Sequence, residues 1–325
     1  MNTITIEEKA PAVAQFMAET LKGLEATPKY MLSKYFYDEQ GDYIFQQIME
    51  MDTYYLTDAE MDILRNQSVD IAKMISSDNT PFDLIELGAG DATKSIHLLR
   101  ELIAQRLEFS YLPIDISAHV ISDLEQSLPA KLPELDIKGL NGDYMDMLRK
   151  AKAISDRRKV VLFMGANIGN MTTEEATNFC IELSGLLSKD DILIIGFDLK
   201  KHPRRILDAY NDEQGITKSF NLNLLTRINR ELGGDFDTDK FEHYASYDPE
   251  SGMCKSYLIS LTDQVVHIGD TEAIRFSKDE YIFMEISQKY SIEEIERLAT
   301  SSGFICQQHL YDSNKYFVDS IWTMR

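Results

Sequence analysis

The stretch Phe82-Asp-Leu-Ile-Glu-Leu-Gly-Ala-Gly-Asp91 decides the fold that we predict for this chain. It begins with a compact, largely apolar run of strand length, and Gly88 and Gly90 follow directly. A turn with two glycines lets the backbone approach a ligand without a Cβ in the way, at the crevice where open α/β sheets bind nucleotides. We therefore expect a nucleotide-type ligand at the carboxyl end of this strand.

The turn lacks the third glycine of a dinucleotide-binding fingerprint. That glycine would stand at position 93, which is Thr93 in this chain. Its usual role is to let a helix pack closely behind a bound pyrophosphate. Its absence therefore disfavours a nicotinamide dinucleotide and suits a nucleoside cofactor that carries no phosphate.

Strand-like apolar runs alternate with amphipathic helical patterns downstream of this turn. Such alternation predicts an α/β fold with a parallel, doubly wound sheet. Thr172 and Glu175 have the spacing of a capping box, so a helix is expected to begin there. The runs that we interpret as strands are 82–87, 109–116, 137–140, 159–164 and 192–197.

The end of the chain carries two further strand-like runs, 304–311 and 316–324, joined by a short Asp-Ser-Asn turn. Ser291 and Glu294 form a second capping box before them, and a turn of this composition is expected to join antiparallel strands. A Rossmann-like parallel sheet finished by a C-terminal antiparallel hairpin is typical of class I methyltransferases and not of ordinary dehydrogenases. This likeness concerns the fold alone and identifies no substrate.

The alternation stops after Lys201 and resumes only late in the chain. Residues 203–285 contain a helical part, 204–232, and then strand-like segments, whereas the first sixty residues are helical, polar and rich in tyrosine. No repeat or linker separates these regions, so we predict two interleaved domains. The sheet domain comprises 61–202 and 288–325, and a second, α+β domain comprises 1–60 and 203–287.

Acidic residues follow the next two strands at positions where a nucleoside could be held. Asp115 ends the second strand, 27 residues after Gly88, and its carboxylate could accept both hydroxyls of a ribose. Asp143 follows the third strand and could accept from an adenine amino group, with Tyr144 alongside the ring. Each acid alone could be a loop or cap residue, but three strand ends in the right order favour a nucleoside site.

Composition excludes several functional classes. The formal net charge of −21, from 54 acidic and 33 basic residues, disfavours nucleic acid and anionic membranes as partners. The three cysteines lie far apart without a CxxC, and the six histidines form no ligand-spaced cluster, so neither disulfides nor a metal site is expected. The chain shows no signal peptide and no apolar run near the ~20 residues that span a bilayer. We expect a soluble, cytoplasmic monomer.

The residues of the turn and their flanking segments resemble the L-histidine Nα-methyltransferase family of the ergothioneine pathway. The similarity covers nearly the whole chain, and many long blocks in the same order are far more specific than the glycine turn. The blocks are Lys34-Tyr-Phe-Tyr-Asp38, Tyr54-Tyr-Leu-Thr-Asp-Ala-Glu60, Glu86-Leu-Gly-Ala-Gly90 with Lys94, Tyr111-Leu-Pro-Ile-Asp-Ile-Ser117, Phe163-Met-Gly-Ala-Asn-Ile-Gly-Asn170, Asp208-Ala-Tyr-Asn-Asp212, the segment 220–231, and Glu285-Ile-Ser-Gln-Lys-Tyr290.

The resemblance implies that the cofactor is S-adenosyl-L-methionine, that the product is S-adenosyl-L-homocysteine and that no metal takes part. It implies that the sheet domain binds this cofactor and that the second domain binds the substrate. The implied cofactor ligands are Gly88, Gly90, Lys94, Asp115, Asp143 and Tyr144.

The resemblance also implies an amino-acid site made of tyrosines, an amide and a carboxylate, with L-histidine as the substrate. Tyr37 and Asn170 would be the catalytic residues, and Glu285 would bind an imidazole nitrogen and fix its tautomer. The implied substrate ligands are Tyr37, Tyr54, Asn170, Tyr210, Ser256, Glu285 and Ser287.

One position departs from the family pattern. Members that act on histidine tend to have a methionine where this chain has Ser256, and a hydroxyl packs and bonds differently from a thioether. This leaves the amino acid and the number of methyl groups open. Asn167, in the block that ends at Asn170, receives no role from the resemblance.

Three functions are compatible with these residues. The first is methylation of the α-amine of L-histidine to its trimethylated betaine, hercynine. The second is N-methylation of another amino acid or small amine, for which Ser256 is the main support. The third is a silent binding protein of the same fold, which would have no need for Tyr37, Asn170, Tyr210 and Glu285 together. Taken singly, an aromatic residue such as Tyr37 is more often part of a core or an interface.

Overall fold

The computed structural model describes residues 6–76, 80–269 and 272–325, without the side chains of 6–12 and 272. The chain divides into two compact units. Unit 1 comprises the described residues up to Tyr55 together with Lys201–Ser287, and unit 2 comprises the described residues of Leu56–Lys200 and Gln288–Arg325. None of the described helices is long and apolar enough to cross a membrane.

The helices begin where the capping residues of the sequence predict. The side chains of Thr172 and Ser291 each accept the backbone N–H three residues on, and Glu175 and Glu294 complete both capping boxes. In the described residues the helices are α1 (Ile6–Glu25), α2 (Glu39–Met49), α3 (Tyr55–Ile75), α4 (Ile96–Ala104), α5 (Ala118–Lys131), α6 (Tyr144–Ile154), α7 (Thr173–Leu186), α8 (Pro203–Tyr210), α9 (Ile216–Leu232) and α10 (Ile292–Ser301).

The strands follow the apolar runs of the sequence closely. In the same described residues they are β1 (Lys29–Tyr30), β2 (Phe82–Leu87), β3 (Phe109–Asp115), β4 (Leu140–Asn141), β5 (Arg158–Phe163), β6 (Ile192–Asp198), β7 (Phe241–Tyr247), β8 (Met253–Ser260), β9 (Gln264–Ile268), β10 (Glu272–Phe276), β11 (Tyr281–Gln288), β12 (Phe304–Tyr311) and β13 (Phe317–Met324).

Unit 2 contains a seven-stranded sheet in the order β12-β13-β6-β5-β2-β3-β4. Strands β2 to β6 pair in parallel, whereas β13 runs antiparallel to β6 and to β12. The predicted α/β fold class, a Rossmann-like parallel sheet with a C-terminal antiparallel hairpin, is therefore confirmed. Because parallel strands end at the same edge of a sheet, the carboxyl ends of β2, β3, β4 and β5 lie side by side.

The sheet of unit 2 is buried on both faces, which explains why its central strands read as continuous apolar runs. Every residue of β2 and β6 is buried. On one face the fully buried Trp322 packs against the rings of Phe197 and Phe304. At the amino end of β2, the buried Asp83 accepts from Lys159 Nζ at 2.8 Å, so this charge is paired inside the core.

Unit 1 contains a four-stranded sheet in the order β1-β11-β8-β7 and a two-stranded ribbon of β9 and β10. Helices α2 and α9 supply much of its core. Phe36 and Phe220 pack with their rings tilted and their centroids 4.9 Å apart, and Leu258 and Met284 from the sheet belong to the same apolar cluster.

Two local predictions need correction. The helical part predicted at 204–232 is broken after α8, because the Asp212 carboxylate accepts the N–H groups of Ile216 and Thr217 and Gly215 adopts a positive φ of 73°, so that α9 starts afresh. The third strand is shorter than predicted, at Leu140–Asn141, and Ile137 makes only an isolated bridge to Tyr111.

The middle of β6 comes very close to a buried acid of α3. A Cβ on Gly196 would lie 2.3 Å from Oε1 of Glu60 and 3.0 Å from the ring of Phe317. Glu60 itself is fully buried. Position 196 therefore has room for glycine only, because any side chain would displace the carboxylate.

We expect Gly196→Ala to lower the free energy of unfolding by about 1–3 kcal/mol, since the added methyl overpacks the space beside Glu60. The control is Gly185→Ala near the end of α7, where a Cβ would meet nothing within 4 Å. That change should raise the free energy of unfolding by about 0.4–1 kcal/mol, because alanine restricts the unfolded chain. Urea denaturation of the two variants measures both effects, and equal stabilities would contradict the close approach at Gly196.

Candidate active site

The glycine turn after β2 is shaped to leave space at the carboxyl end of the sheet. Gly88 and Gly90 have φ values of 73° and 52°, in the left-handed region that glycine adopts without strain. A Cβ on Gly88 would lie 2.8 Å from the hydroxyl of Tyr144 and 3.1 Å from Nδ2 of Asn167. These two side chains therefore reach the turn only because residue 88 has no side chain.

Asp115, the last residue of β3, is bonded to the same turn. Its Oδ2 accepts the N–H of Gly90 at 3.2 Å, and its Oδ1 accepts the N–H of Ser117 at 2.9 Å. Burial raises the pKa of the Asp115 carboxyl above its ordinary value, although both hydrogen bonds act in the opposite direction. A partly buried carboxyl beside a glycine turn is a suitable acceptor for the hydroxyls of a ribose.

Asp143 and Tyr144 begin α6 next to this turn. Asp143 is the N-cap residue, because its Oδ1 accepts the N–H of Met145 at 2.9 Å. Tyr144 packs edge-on against Phe163, with ring centroids 5.6 Å apart. Burial, and then the charges of Asp115 and Asp143, raise the pKa of the Tyr144 hydroxyl, which is therefore neutral. Asp143 thus has a structural role as a cap in the place where the sequence predicts an adenine ligand.

Lys94 lies on the other side of the turn. Its ammonium pairs with the buried Glu60 carboxylate, and its side chain remains about a quarter exposed, at 24%. The ammonium is 3.5 Å from the point that a Cβ on Gly165 would occupy, at the carboxyl end of β5. A cation is therefore available where the strand ends meet, which suits the carboxylate of an aminoacyl group.

The structure adds two residues that the sequence analysis did not assign. Asn167 directs its amide toward both Gly88 and Gly165, at 3.1 and 3.6 Å from their absent Cβ positions. Its place two residues after Gly165, at the end of a predicted strand, was the signal in the sequence. Glu60 holds Lys94, but its sequence context does not distinguish it from an exposed helical acid.

A nucleoside cofactor that ends in an amino acid fits this set of groups. The open glycine turn, the carboxyl of Asp115 and the ring of Tyr144 match a ribose and a base, and the ammonium of Lys94 matches a carboxylate. Among the residues that the structure describes, no group of three or more His, Cys, Asp or Glu side chains could hold a metal ion.

The predicted amino-acid ligands of unit 1 are joined by a series of contacts. Tyr37 packs edge-on against Phe45 at 5.6 Å, Phe45 against Tyr54 at 6.5 Å, and Tyr54 against Tyr210 at 6.2 Å. The hydroxyl of Tyr210 then makes a hydrogen bond of 2.8 Å with Oγ of Ser287. Three tyrosines and a serine that are far apart in the sequence are thus brought together.

Glu285 and Ser287 lie two residues apart on β11, so strand alternation points their side chains to the same side. Glu285 is half-buried and Ser287 is buried. Ser256 is buried on β8, opposite Ala245 of β7, and its hydroxyl takes no part in the described contacts that join Tyr37 to Ser287.

Asn170 belongs to unit 2. It ends the short 3-10 helix Asn167–Asn170 and is exposed. The preceding Gly169 approaches the backbone of Gln288 so closely that a Cβ would lie 2.9 Å from its carbonyl oxygen. The backbone around Asn170 is therefore fixed against the strand end of β11, while its amide is open to a ligand.

Comparison with known proteins agrees with this geometry. The family model of histidine-specific, S-adenosylmethionine-dependent methyltransferases matches residues 16–324. The chain is 34% identical to a histidine N-alpha-methyltransferase of Mycolicibacterium smegmatis, over 86% of each chain. It is 32% identical to a histidine N-alpha-methyltransferase of Mycobacterium tuberculosis, over 88% of this chain and 87% of that protein.

A more distant relative carries a different name. The 4-dimethylallyltryptophan N-methyltransferase of Claviceps fusiformis is 26% identical, over 88% of this chain and 85% of that protein. The family match nonetheless extends over both units and contains every predicted site residue. The chain is an enzyme that uses S-adenosylmethionine, and it belongs to the family of histidine-specific, S-adenosylmethionine-dependent methyltransferases.

Proposed function

We propose that the protein methylates the α-amino group of L-histidine and carries the reaction through to the trimethylated betaine. The observation that carries this proposal is the series of contacts from Tyr37 to Ser287, which ends in the hydrogen bond of Tyr210 and lies in the same unit as Glu285. Support comes from two relatives that are named for histidine N-alpha-methylation.

The cofactor is held by unit 2 in this proposal. Bound S-adenosylmethionine supplies a methyl group on a sulfonium, which needs neither a metal nor a covalent enzyme intermediate. Asp115 accepts the ribose hydroxyls, Lys94 binds the carboxylate, and Tyr144 lies along the base. Gly88 and Gly90 leave the space in which these groups can meet the cofactor.

The amino acid must present a neutral amine. A free α-amine has a pKa near about 8, so most of it is protonated at neutral pH and must lose a proton before it can attack. In this proposal the hydroxyl of Tyr37 and the side-chain oxygen of Asn170 accept the N–H groups of the amine and direct its lone pair. Tyr210 and Tyr54 hold the rest of the main-chain part of the substrate. Fixing the amine in this way replaces diffusional encounter with proximity.

The imidazole is the part of the substrate that identifies it. Glu285 is half-buried, so a hydrogen bond from an imidazole N–H to its carboxylate would be only partly screened by water. Ser287 can donate to the other ring nitrogen or accept from it, because a hydroxyl does both. Three methyl transfers are chemically reasonable, since after the first and the second transfer the resulting ammonium can lose a proton and regain a lone pair, whereas the third transfer makes the nitrogen quaternary.

A second candidate is N-methylation of another amino acid or small amine. Ser256 favours it, because a buried hydroxyl replaces the methionine that is typical of members acting on histidine. A relative that is 26% identical to this chain and is named for a substituted tryptophan also supports this candidate.

Incubation of the protein with S-adenosylmethionine and single amino acids separates the two candidates. We expect histidine to gain one, two and then three methyl groups, with the trimethylated product dominant at the end of the reaction. Mass spectrometry of the time course measures each species. Product from a different amine and none from histidine would favour the second candidate.

Glu285→Ala should raise the KM for histidine about 10–100-fold, the cost of losing a hydrogen bond to a charged group. The Kd for S-adenosylhomocysteine should stay the same, because Glu285 belongs to the substrate side. Glu280→Gln is the matched control, since Glu280 precedes the same strand but pairs with Lys29 at 2.7 Å. Steady-state kinetics and calorimetry measure the two constants, and equal losses in both would count against a contact with imidazole.

Tyr210→Phe should weaken histidine binding about 2–10-fold, because it removes the hydrogen bond to Ser287 and any bond from the hydroxyl to the substrate. Tyr43→Phe is the matched control, since the Tyr43 ring is 58% exposed on α2 of the same unit. Isothermal titration with histidine in the presence of S-adenosylhomocysteine gives both affinities. If the two variants behave alike, Tyr210 has no role in the substrate site.

A further inference from the structure

Unit 2 contains three buried carboxyls near Lys94 to which the proposed reaction gives no role. Glu60 on α3, Glu86 on β2 and Asp319 on β13 all act electrostatically on the ammonium of Lys94, and Glu60 also pairs with it. All three acids are at most 2% exposed. Buried carboxyls of this kind are costly unless they are paired or protonated, so their presence needs a physical reason.

Glu60 makes the contacts that organise this cluster. Its Oε1 and Oε2 accept the N–H of Gly165 at 2.7 and 3.0 Å, and Oε2 also accepts from the ammonium of Lys94. Gly165 has a φ of 75° and lies near the start of the loop that follows β5. One carboxylate therefore ties this loop and the lysine to α3.

The ammonium of Lys94 depends on this carboxylate for its charge. Burial lowers the pKa of Lys94, but the nearby carboxyls together, Glu60 foremost through its charge and its hydrogen bond, hold the pKa above its ordinary value. The other two acids contribute less. Burial raises the pKa of Glu86 to about 7 and raises that of Asp319 well above its usual range.

We propose that Glu60 is a positioning residue for cofactor binding, which holds the ammonium of Lys94 and the N–H of Gly165 where the carboxylate of the methionyl group is bound. This inference rests on the cofactor role of Lys94 in the proposed function. Glu60 does not touch the cofactor in this arrangement, and it acts through Lys94 and the loop that begins at Gly165.

The test compares two ligands that differ in the methionyl group. S-adenosylhomocysteine has the carboxylate, and 5′-methylthioadenosine lacks the whole amino-acid part. At pH 7.5, Glu60→Gln should weaken the binding of S-adenosylhomocysteine about tenfold or more and the binding of 5′-methylthioadenosine less than about twofold. Isothermal titration measures both affinities. Histidine and turnover do not enter this measurement, so its failure is distinct from failure of the proposed substrate.

A pH series supplies a second readout that a merely structural role would not move. In Glu60→Gln the charge and the hydrogen bond that most strongly oppose burial are lost, so the pKa of Lys94 falls. The affinity for S-adenosylhomocysteine should therefore decrease more steeply in the variant than in the wild type, whose lysine stays charged, as the pH rises from about 6.5 to about 9. Glu60→Asp keeps the charge, so it should bind with intermediate affinity and without this slope.

Two further variants complete the design. Asp83→Asn is the matched control, because it breaks another buried ion pair of the same sheet, with Lys159, at the opposite end of β2. It should lower thermal stability and leave both ligands unaffected. Adding Glu60→Gln to Lys94→Met should cause a much smaller loss of affinity than Glu60→Gln causes alone, since the lysine is gone and only the contact of Glu60 with Gly165 remains.

Three results would overturn the proposal. The first is an equal loss of affinity for both ligands in Glu60→Gln, and the second is unchanged or tighter binding of S-adenosylhomocysteine by this variant at all pH values. The third is a double variant in which the losses of affinity are fully additive. If Glu60→Gln does not fold, Glu60→Asp decides the question alone. It must then lose affinity for S-adenosylhomocysteine and keep its affinity for 5′-methylthioadenosine.

Discussion

The burial of the Glu60 carboxylate is the constraint on which unit 2 depends. A charge removed from water must be matched by donors in the protein, and here the donors are the N–H of Gly165 and the ammonium of Lys94. Room for the charge exists only because Gly196 has no side chain. Four segments that are distant in the sequence are therefore fixed together by one carboxylate. Lys94, which is predicted to bind the cofactor, is one of the groups that this carboxylate holds.

In unit 1, tyrosines that are predicted to bind the substrate also pack with the aromatic residues of the core. The rings of Tyr37, Phe45, Tyr54 and Tyr210 pack edge-on, each against the next, and this packing stabilises the unit. Each tyrosine also carries a hydroxyl that can form hydrogen bonds. An aromatic side chain with a polar tip can do both. This explains why composition alone could not separate a structural from a functional tyrosine. The hydrogen bond of Tyr210 to Ser287 is a contact that composition could not reveal.

Features determined by local sequence were predictable, and features determined by distant partners were not. The central strands and both capping boxes follow from patterns of a few residues. The glycine turn at Gly88 and the place of Asp115 could be predicted because each directly follows or ends a strand-like run. In contrast, β1 is two residues long and exists because Lys29 and Tyr30 pair with Ile282 and Phe283. The burial of Glu60 could not be predicted, because an acid on an amphipathic helix is normally exposed. Its burial depends on Lys94 and Gly165, which no local pattern connects to it.

The same charge balance favours the neutral form of Asp319. One ammonium can neutralise one carboxylate, and Glu60 already makes that pair. Asp319 lies opposite Gly196 on the neighbouring strand, is fully buried, and has no hydrogen-bond partner for either oxygen among the described groups. Ionised, it would add a negative charge beside Glu60, at a cost that burial magnifies. This cost agrees with the raised pKa of Asp319. In the proposed function a neutral Asp319 would add no repulsion to a carboxylate that binds Lys94.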